Sequence, residues 1–150
     1  MWGPWRPQGD LSEMNIFIVC SKHFYSRIPP IQADLELAGH RVTLPNSFDA
    51  PLMEEEMRKK GAVEHAAWKA TMILSQAQKV ADNDAILVLN FNKGGRPNYI
   101  GGATFSEVYE AFKQGKKIFF FNPLPEEPVF RDELLAFAPA ILDQDLSLIS

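Results

Sequence analysis

Three short apolar runs punctuate the chain: Met14–Cys20 (MNIFIVC), Asp84–Asn90 (DAILVLN) and Lys117–Asn122 (KIFFFN). Each is apolar at successive positions instead of alternating with polar ones. That pattern predicts strands buried on both faces, as in a parallel sheet covered by helices. His40–Pro45 (HRVTLP) reads as a further strand, and Ala140–Ser150 supplies a last strand or tail. Helical patterns lie between them. Pro29 and Pro30 suit a helix start and Gly39 its end, with Ile31, Leu35 and Ala38 on one face. LMEEEMRKKG reads as a short charged helix ended by Gly61. The stretch from Val63 to Ala81 reads as a longer one, with Trp68, Met72, Ala77 and Val80 as its buried positions. A helix starting near Ala103 places Phe105, Val108 and Phe112 on a buried stripe, and RDELLAF forms a last short helix.

Strands alternating with helices predict an α/β fold: a small doubly wound, Rossmann-like or flavodoxin-like parallel sheet of about five strands, with helices on both faces. The expected strand order is 2-1-3-4-5. In such folds ligands bind beyond the C-terminal ends of the strands, where the order reverses. Two polar segments meet there, Ser21-Lys22-His23 after the first strand and Asn90–Gly102 after the third.

The chain's 150 residues suffice for one domain with a core, read as residues 14–150. Residues 1–13, rich in Pro, Gly and Trp without periodicity, read as a poorly ordered extension. Met14 then becomes a candidate natural start, and Trp2 and Trp5 candidates for surface packing. A net charge of -4 argues against a nucleic-acid polymer as partner, because there is no basic excess to neutralise phosphates. Cys20 is the only cysteine, so no internal disulfide forms, which fits a cytoplasmic setting. No apolar run reaches the roughly 18 residues a membrane span requires. There is no zinc-like Cys/His spacing and no Walker-type Gly-Lys-Ser/Thr, so no metal or cofactor is expected.

Gly101 and Gly102 lead into the helix that carries Glu107. A glycine pair lets a ligand approach the backbone, and free N–H groups at a helix start attract anions, with Thr104 adding a hydroxyl. The same pair also suits a plain tight turn. Glu107 lies off the predicted stripe, either facing the strand ends or solvated near the positive end of the helix dipole. His23 is a candidate acid/base group. Lys22, Lys93 and Arg96 are candidate phosphate grips. Ser21, Asn90 and Asn92 are candidate hydrogen-bonding groups for a sugar or base. Asp84 opens a buried strand, and His40 and His65 read as structural.

The segment ADNDAILVLN … GGATFSEVYEAFKQGKKIFFFNP resembles the core of the nucleoside 2-deoxyribosyltransferase-like superfamily. Asp84 leads the strand, Gly102 stands at the turn, Glu107-Val108-Tyr109-Glu110-Ala111 follows on the helix, and Gly115-Lys116 comes after it. The likeness spans residues 14–123, with its specific pattern in the second half. It implies Glu107 as a nucleophile on the anomeric carbon of a nucleoside or nucleotide, with Asp84 or His23 serving the departing base. It also implies a homo-oligomer, for which the IFFFNPLP region and the Val63–Ala81 helix offer apolar surface. Tyr109 stands where the family has glycine, a change that bears on pocket width or helix packing. Asn98, Gly101 and Gly102 stand where transferases often have a further acid. GGATFSE is also similar, less closely, to the glycine-rich motif of nucleoside 5'-monophosphate phosphoribohydrolases. Both likenesses imply N-glycosidic chemistry. A non-catalytic nucleotide-binding or interaction module on the same fold is the alternative.

Overall fold

A computed structural model describes residues 13–150. The expected extension over residues 1–13 therefore falls, Glu13 apart, outside the described residues. The elements are β1 (Asn15–Val19), α1 (Ile28–Leu37), β2 (Arg41–Thr43), α2 (Met53–Lys60), α3 (Ala62–Ala81), β3 (Ala85–Val88), α4 (Gly102–Lys113), β4 (Lys117–Phe120), α5 (Arg131–Phe137) and β5 (Ala140–Ile141). The five strands form one all-parallel sheet in the order β2-β1-β3-β4-β5. This is the expected doubly wound arrangement, and β1 and β3 flank the point where the order reverses.

The central strands are apolar throughout because both faces are covered. Ile16 and Ile18 of β1 join Ala85 and Leu87 beneath α1, where Ile28, Ile31 and Leu35 pack. Phe17 and Val19 turn the other way, joining Ile86 and Val88 under Val80 of α3, Val108 and Ala111 of α4 and Leu134 of α5. Alternate residues of one strand thus enter two separate cores.

The polar segment after β1 is not loop but a 3₁₀ helix over Lys22–Arg27, started by the Ser21 side chain accepting from the His23 amide. In α3, Val80 and Gln76 are buried, Trp68 and Met72 half-buried, and Ala77 exposed. The expected Trp68/Met72/Ala77/Val80 stripe is therefore rotated at Ala77. Gln76 takes the inner place because the hydroxyl of Ser106 on α4 meets its Oε1 at 3.1 Å. Val63 and Leu74 of α3 are largely exposed. Among the described residues, no helix is long and apolar enough to cross a membrane.

Helix α4 differs from expectation in a way that shapes the site. Its buried positions are Thr104, Glu107, Val108 and Ala111, while Phe112 is half exposed. Phe105 and Phe112 turn instead toward α5, where both rings pack on Phe137. The spacing of 104, 107, 108 and 111 is that of one helix face. Its C-terminal half, Val108 and Ala111, rests on the sheet. A twelve-residue helix is about 18 Å long and a four-residue strand about 13 Å, so the first turns of α4 project past the strand ends. Thr104 and Glu107 lie on that projecting part.

Candidate functional site

A cleft of about 670 Å³ opens at the strand-order reversal. One side comes from Cys20, Ser21, Lys22, His23 and Tyr25, beyond β1. Gly101 to Thr104 and Glu107 of α4 form a second side. Trp68, Met72 and Gln76 of α3 form the third, and Glu54, Glu55 and Arg58 of α2 lie across from the β1 loop.

Glu107 is 8% exposed, and no described group donates a hydrogen bond to its carboxylate, whose oxygens stay open to the cleft. Burial pushes its carboxyl up to about 8, with the charges of Lys79 and Lys69 only partly offsetting that cost. At neutral pH the side chain is mainly the neutral acid. Burial together with the nearby Glu107 charge drives the Cys20 thiol up to about 12, so this sole cysteine is an inert thiol. Burial likewise raises the Tyr25 phenol, with smaller contributions from Cys20 and Glu107. Tyr25 therefore stays protonated and offers an O–H at the cleft side.

The glycine pair is not held by backbone geometry. Gly101 has φ −95° and Gly102 is the first residue of α4, so neither needs the left-handed region. A side chain on Gly102 would meet nothing within 4 Å, whereas one on Gly101 would come 3.1 Å from the Tyr99 hydroxyl. A tight turn thus does not explain both glycines. What they share is a place in the cleft wall, where the unbonded first N–H groups of α4 have no side-chain cap.

Other expected residues fall into two groups. Ser21, Lys22, His23, Thr104, Gly101, Gly102 and Glu107 all line the cleft. His23 is exposed, and slight burial with the charges of Lys93 and Lys22 lowers its pKa, so it is neutral at physiological pH. Lys22 pairs with Glu55. Asp84, Asn90 and Asn92 do not line the cleft. Asp84 lies at the other end of β3, about 17 Å of strand away, and its carboxylate accepts from the Asn15 amide at 2.8 Å. It clamps the entry of β1 and is not available to a ligand at the strand C-termini. Asn90 is fully buried. Its side chain accepts from the Asn122 amide and donates to the Asn122 and Pro123 carbonyls, locking the ends of β3 and β4 together. Asn92 accepts from the Asn98 amide at 3.1 Å and closes its own loop. Of the remaining expected phosphate grips, Arg96 is engaged bidentately by Glu127, and Lys93 lies over the Tyr99 ring while lining the cleft.

Tyr109 does not narrow the cleft. It is half exposed on the opposite side of α4 and meets Phe137 edge-on at 5.9 Å. The glycine-to-tyrosine change therefore bears on packing against α5.

Sequence reasoning missed Tyr25, Gln76, Glu54 and Lys69, and took Trp68 for core. The available signal was the mixed stripe His65, Trp68, Lys69, Met72 and Gln76, which has helical spacing but is too polar for a core face. Glu54 anchors the base of this stripe. Its Oε2 accepts from His65 at 2.9 Å, Arg58 at 3.2 Å and Lys69 at 3.4 Å. Burial alone would raise its pKa, but these donors bring it down to about 2.

Neither a protein-family model nor a curated protein matches the chain.

Proposed function

We propose that the protein cleaves or transfers the N-glycosidic bond of a nucleoside or nucleotide, with Glu107 as nucleophile. The observation that carries this reading is the single one of Glu107: a buried carboxyl without a hydrogen-bond partner, facing a cleft at the strand-order reversal, beside two glycines that backbone geometry does not require. Its oxygens stay open to the cleft, and a carboxyl whose pKa is raised this far by burial beside a cleft is characteristic of a functional group. The likeness to the nucleoside 2-deoxyribosyltransferase-like superfamily supplies the reaction class.

In this mechanism the Glu107 carboxylate forms a bond to the anomeric carbon as the carbon–nitrogen bond breaks. The Glu107 proton passes to solvent before the carboxylate attacks, and the departing base takes the electron pair and a proton returned from water. Neutral His23 is the available shuttle at the cleft, now that Asp84 is placed elsewhere. Water, or a second base, then displaces the sugar from Glu107. Positive charge developing on the sugar stabilises the carboxylate, so the buried site favours the ionised acid only when a substrate is reacting. The value near 8 makes kcat/KM rise with pH until Glu107 is ionised in the free protein.

Deoxynucleosides and their 5'-monophosphates, incubated with the protein and resolved by chromatography, test the proposal. Free base should appear, and Glu107→Gln should slow its release about 1000-fold or more. No release from any of these substrates, or equal release by the variant, overturns it.

One observation favours a second reading. Asp84 stands at the far end of the sheet and the other cleft acids, Glu54 and Glu55, are paired with cations, while Glu107 as a neutral acid donates a hydrogen bond well. A nucleotide-binding module would use it so. That reading predicts ligand-induced thermal stabilisation without base release, retained in Glu107→Gln because an amide also donates.

A further inference from the structure

The carboxylates around the cleft are concentrated on α2, which also brings one cation, Arg58, engaged by Glu54. Outside α2 the cationic side chains are Lys22, Lys69 and Lys93, and the one acid is Glu107. Both remaining carboxylates, Glu54 and Glu55, come from α2. That helix has no buried residue and packs against α3. It joins α3 through Gly61, whose φ of +129° suits glycine and marks a place where the chain can turn. Polar contacts therefore do much of the work of holding it. Glu55 reaches over to pair with Lys22 on the β1 side, and Glu54 accepts from His65 and Lys69. The latch is poorly satisfied: Glu55 Oε2 is covered yet has no hydrogen-bond partner among the described residues.

We propose that Lys22 and Lys69 form a phosphate subsite of the cleft, and that Glu55 and Glu54 of α2 occupy it in the ligand-free chain as stand-ins for phosphate oxygens. The proposal rests on the nucleotide reading above and narrows it to phosphorylated ligands. A phosphate carries nearly two charges and three strong acceptors, against one charge on Glu55. A partly exposed ion pair such as Lys22–Glu55 contributes little, so a dianion displaces the carboxylate from Lys22 and frees that end of α2. Lys22 and Lys69 come from outside α2, and α2 supplies the competing carboxylates.

Calorimetric titration of the full chain with ribose 5-phosphate, a deoxynucleoside 5'-monophosphate, inorganic phosphate and unphosphorylated ribose tests this. Glu55→Gln removes the competitor and should tighten sugar-phosphate binding about fivefold. Lys22→Gln removes a ligand group and should weaken it by about the same factor or more. Ribose should respond to neither substitution. Both residues are partly exposed, and far-UV circular dichroism checks that both variants fold. Opposite shifts seen also with inorganic phosphate assign the subsite to phosphate as such; shifts confined to sugar phosphates assign it to a nucleotide. A pair that only braces the fold would move both variants the same way, and that result, or no shift in either, overturns the proposal. Base release without these shifts removes the subsite and leaves the Glu107 reading standing. The shifts without base release do the reverse.

Discussion

The two ends of the sheet treat a carboxylate in opposite ways. At the N-terminal end, Asp84 accepts from the Asn15 amide while its own amide donates to the Asn15 carbonyl, so β1 and β3 are tied where they enter the sheet. At the C-terminal end, Glu107 is buried with no donor from any described residue, and burial keeps it protonated at neutral pH. One acid is fully used by the fold and the other is left to the cleft. A doubly wound sheet makes this division natural, because helix N-termini and strand C-termini converge on one edge and leave polar groups there free for a ligand. The same edge also shows that closeness to the site is not membership of it. Asn90 sits there, yet its side chain is consumed by Asn122 and Pro123.

The comparison breaks most directly on Glu107 itself. Its folded pKa is raised from 4.5 to about 8, so the folded chain holds a proton that the unfolded chain releases between those values. The stabilisation from that proton is full below pH 4.5 and is lost as pH rises through about 8. Glu107→Gln carries no such cost. Denaturant unfolding should find it more stable than the parent chain at pH 8, on the order of 3 kcal/mol, and equal to it near pH 4. Equal stability at both pH values would mean that Glu107 is solvated after all.

A smaller effect tests the structural assignment of Asn90. Asn90→Ala leaves the Asn122 amide and the Pro123 carbonyl without their side-chain partner and should cost about 2 kcal/mol in a urea titration, while any base release keeps its KM. A raised KM with little loss of stability would return Asn90 to the ligand. Asp84→Ala should cost about 1 kcal/mol and leave kcat unchanged, since the clamp on Asn15 lies at the far end of the sheet. A hundredfold fall in kcat there would contradict the division between the two ends. The smallest stability change belongs to Gly102→Ala. The added methyl meets open space on a helical residue, so the melting temperature should stay level or rise by the equivalent of about 0.5 kcal/mol. Ligand affinity should nevertheless fall, because the methyl stands where a ligand would approach the backbone. Stability and affinity moving together would restore the plain-turn reading of the glycines.

Much of the architecture was legible along the chain. Ile16–Val19, Ala85–Leu89 and Ile118–Phe121 are apolar at every position, and only a sheet covered on both faces accommodates that. The topology of such a sheet then located the cleft. The facing of α4 was not legible. Phe105, Val108 and Phe112 make the more hydrophobic stripe, and hydrophobicity alone would bury it. The aromatic cluster with Phe130 and Phe137 draws Phe105 and Phe112 sideways toward α5. That rotation carries Glu107 inward. Asp84 misled for a different reason: the family resemblance lent it a role, although a residue that opens a parallel strand stands at the end away from the ligand edge.

The sequence by itself determined the α/β class, the strand order and the edge at which a ligand site forms, because these follow from apolar runs, helix-ending residues and the handedness of parallel crossovers. Only the tertiary structure decided which acid faces that cleft, which asparagine is spent on the fold, and that α2 lays its carboxylates against Lys22 and Lys69. Those outcomes depend on how helices rotate and where their ends project when several packed surfaces compete. Periodicity within one segment does not encode that competition.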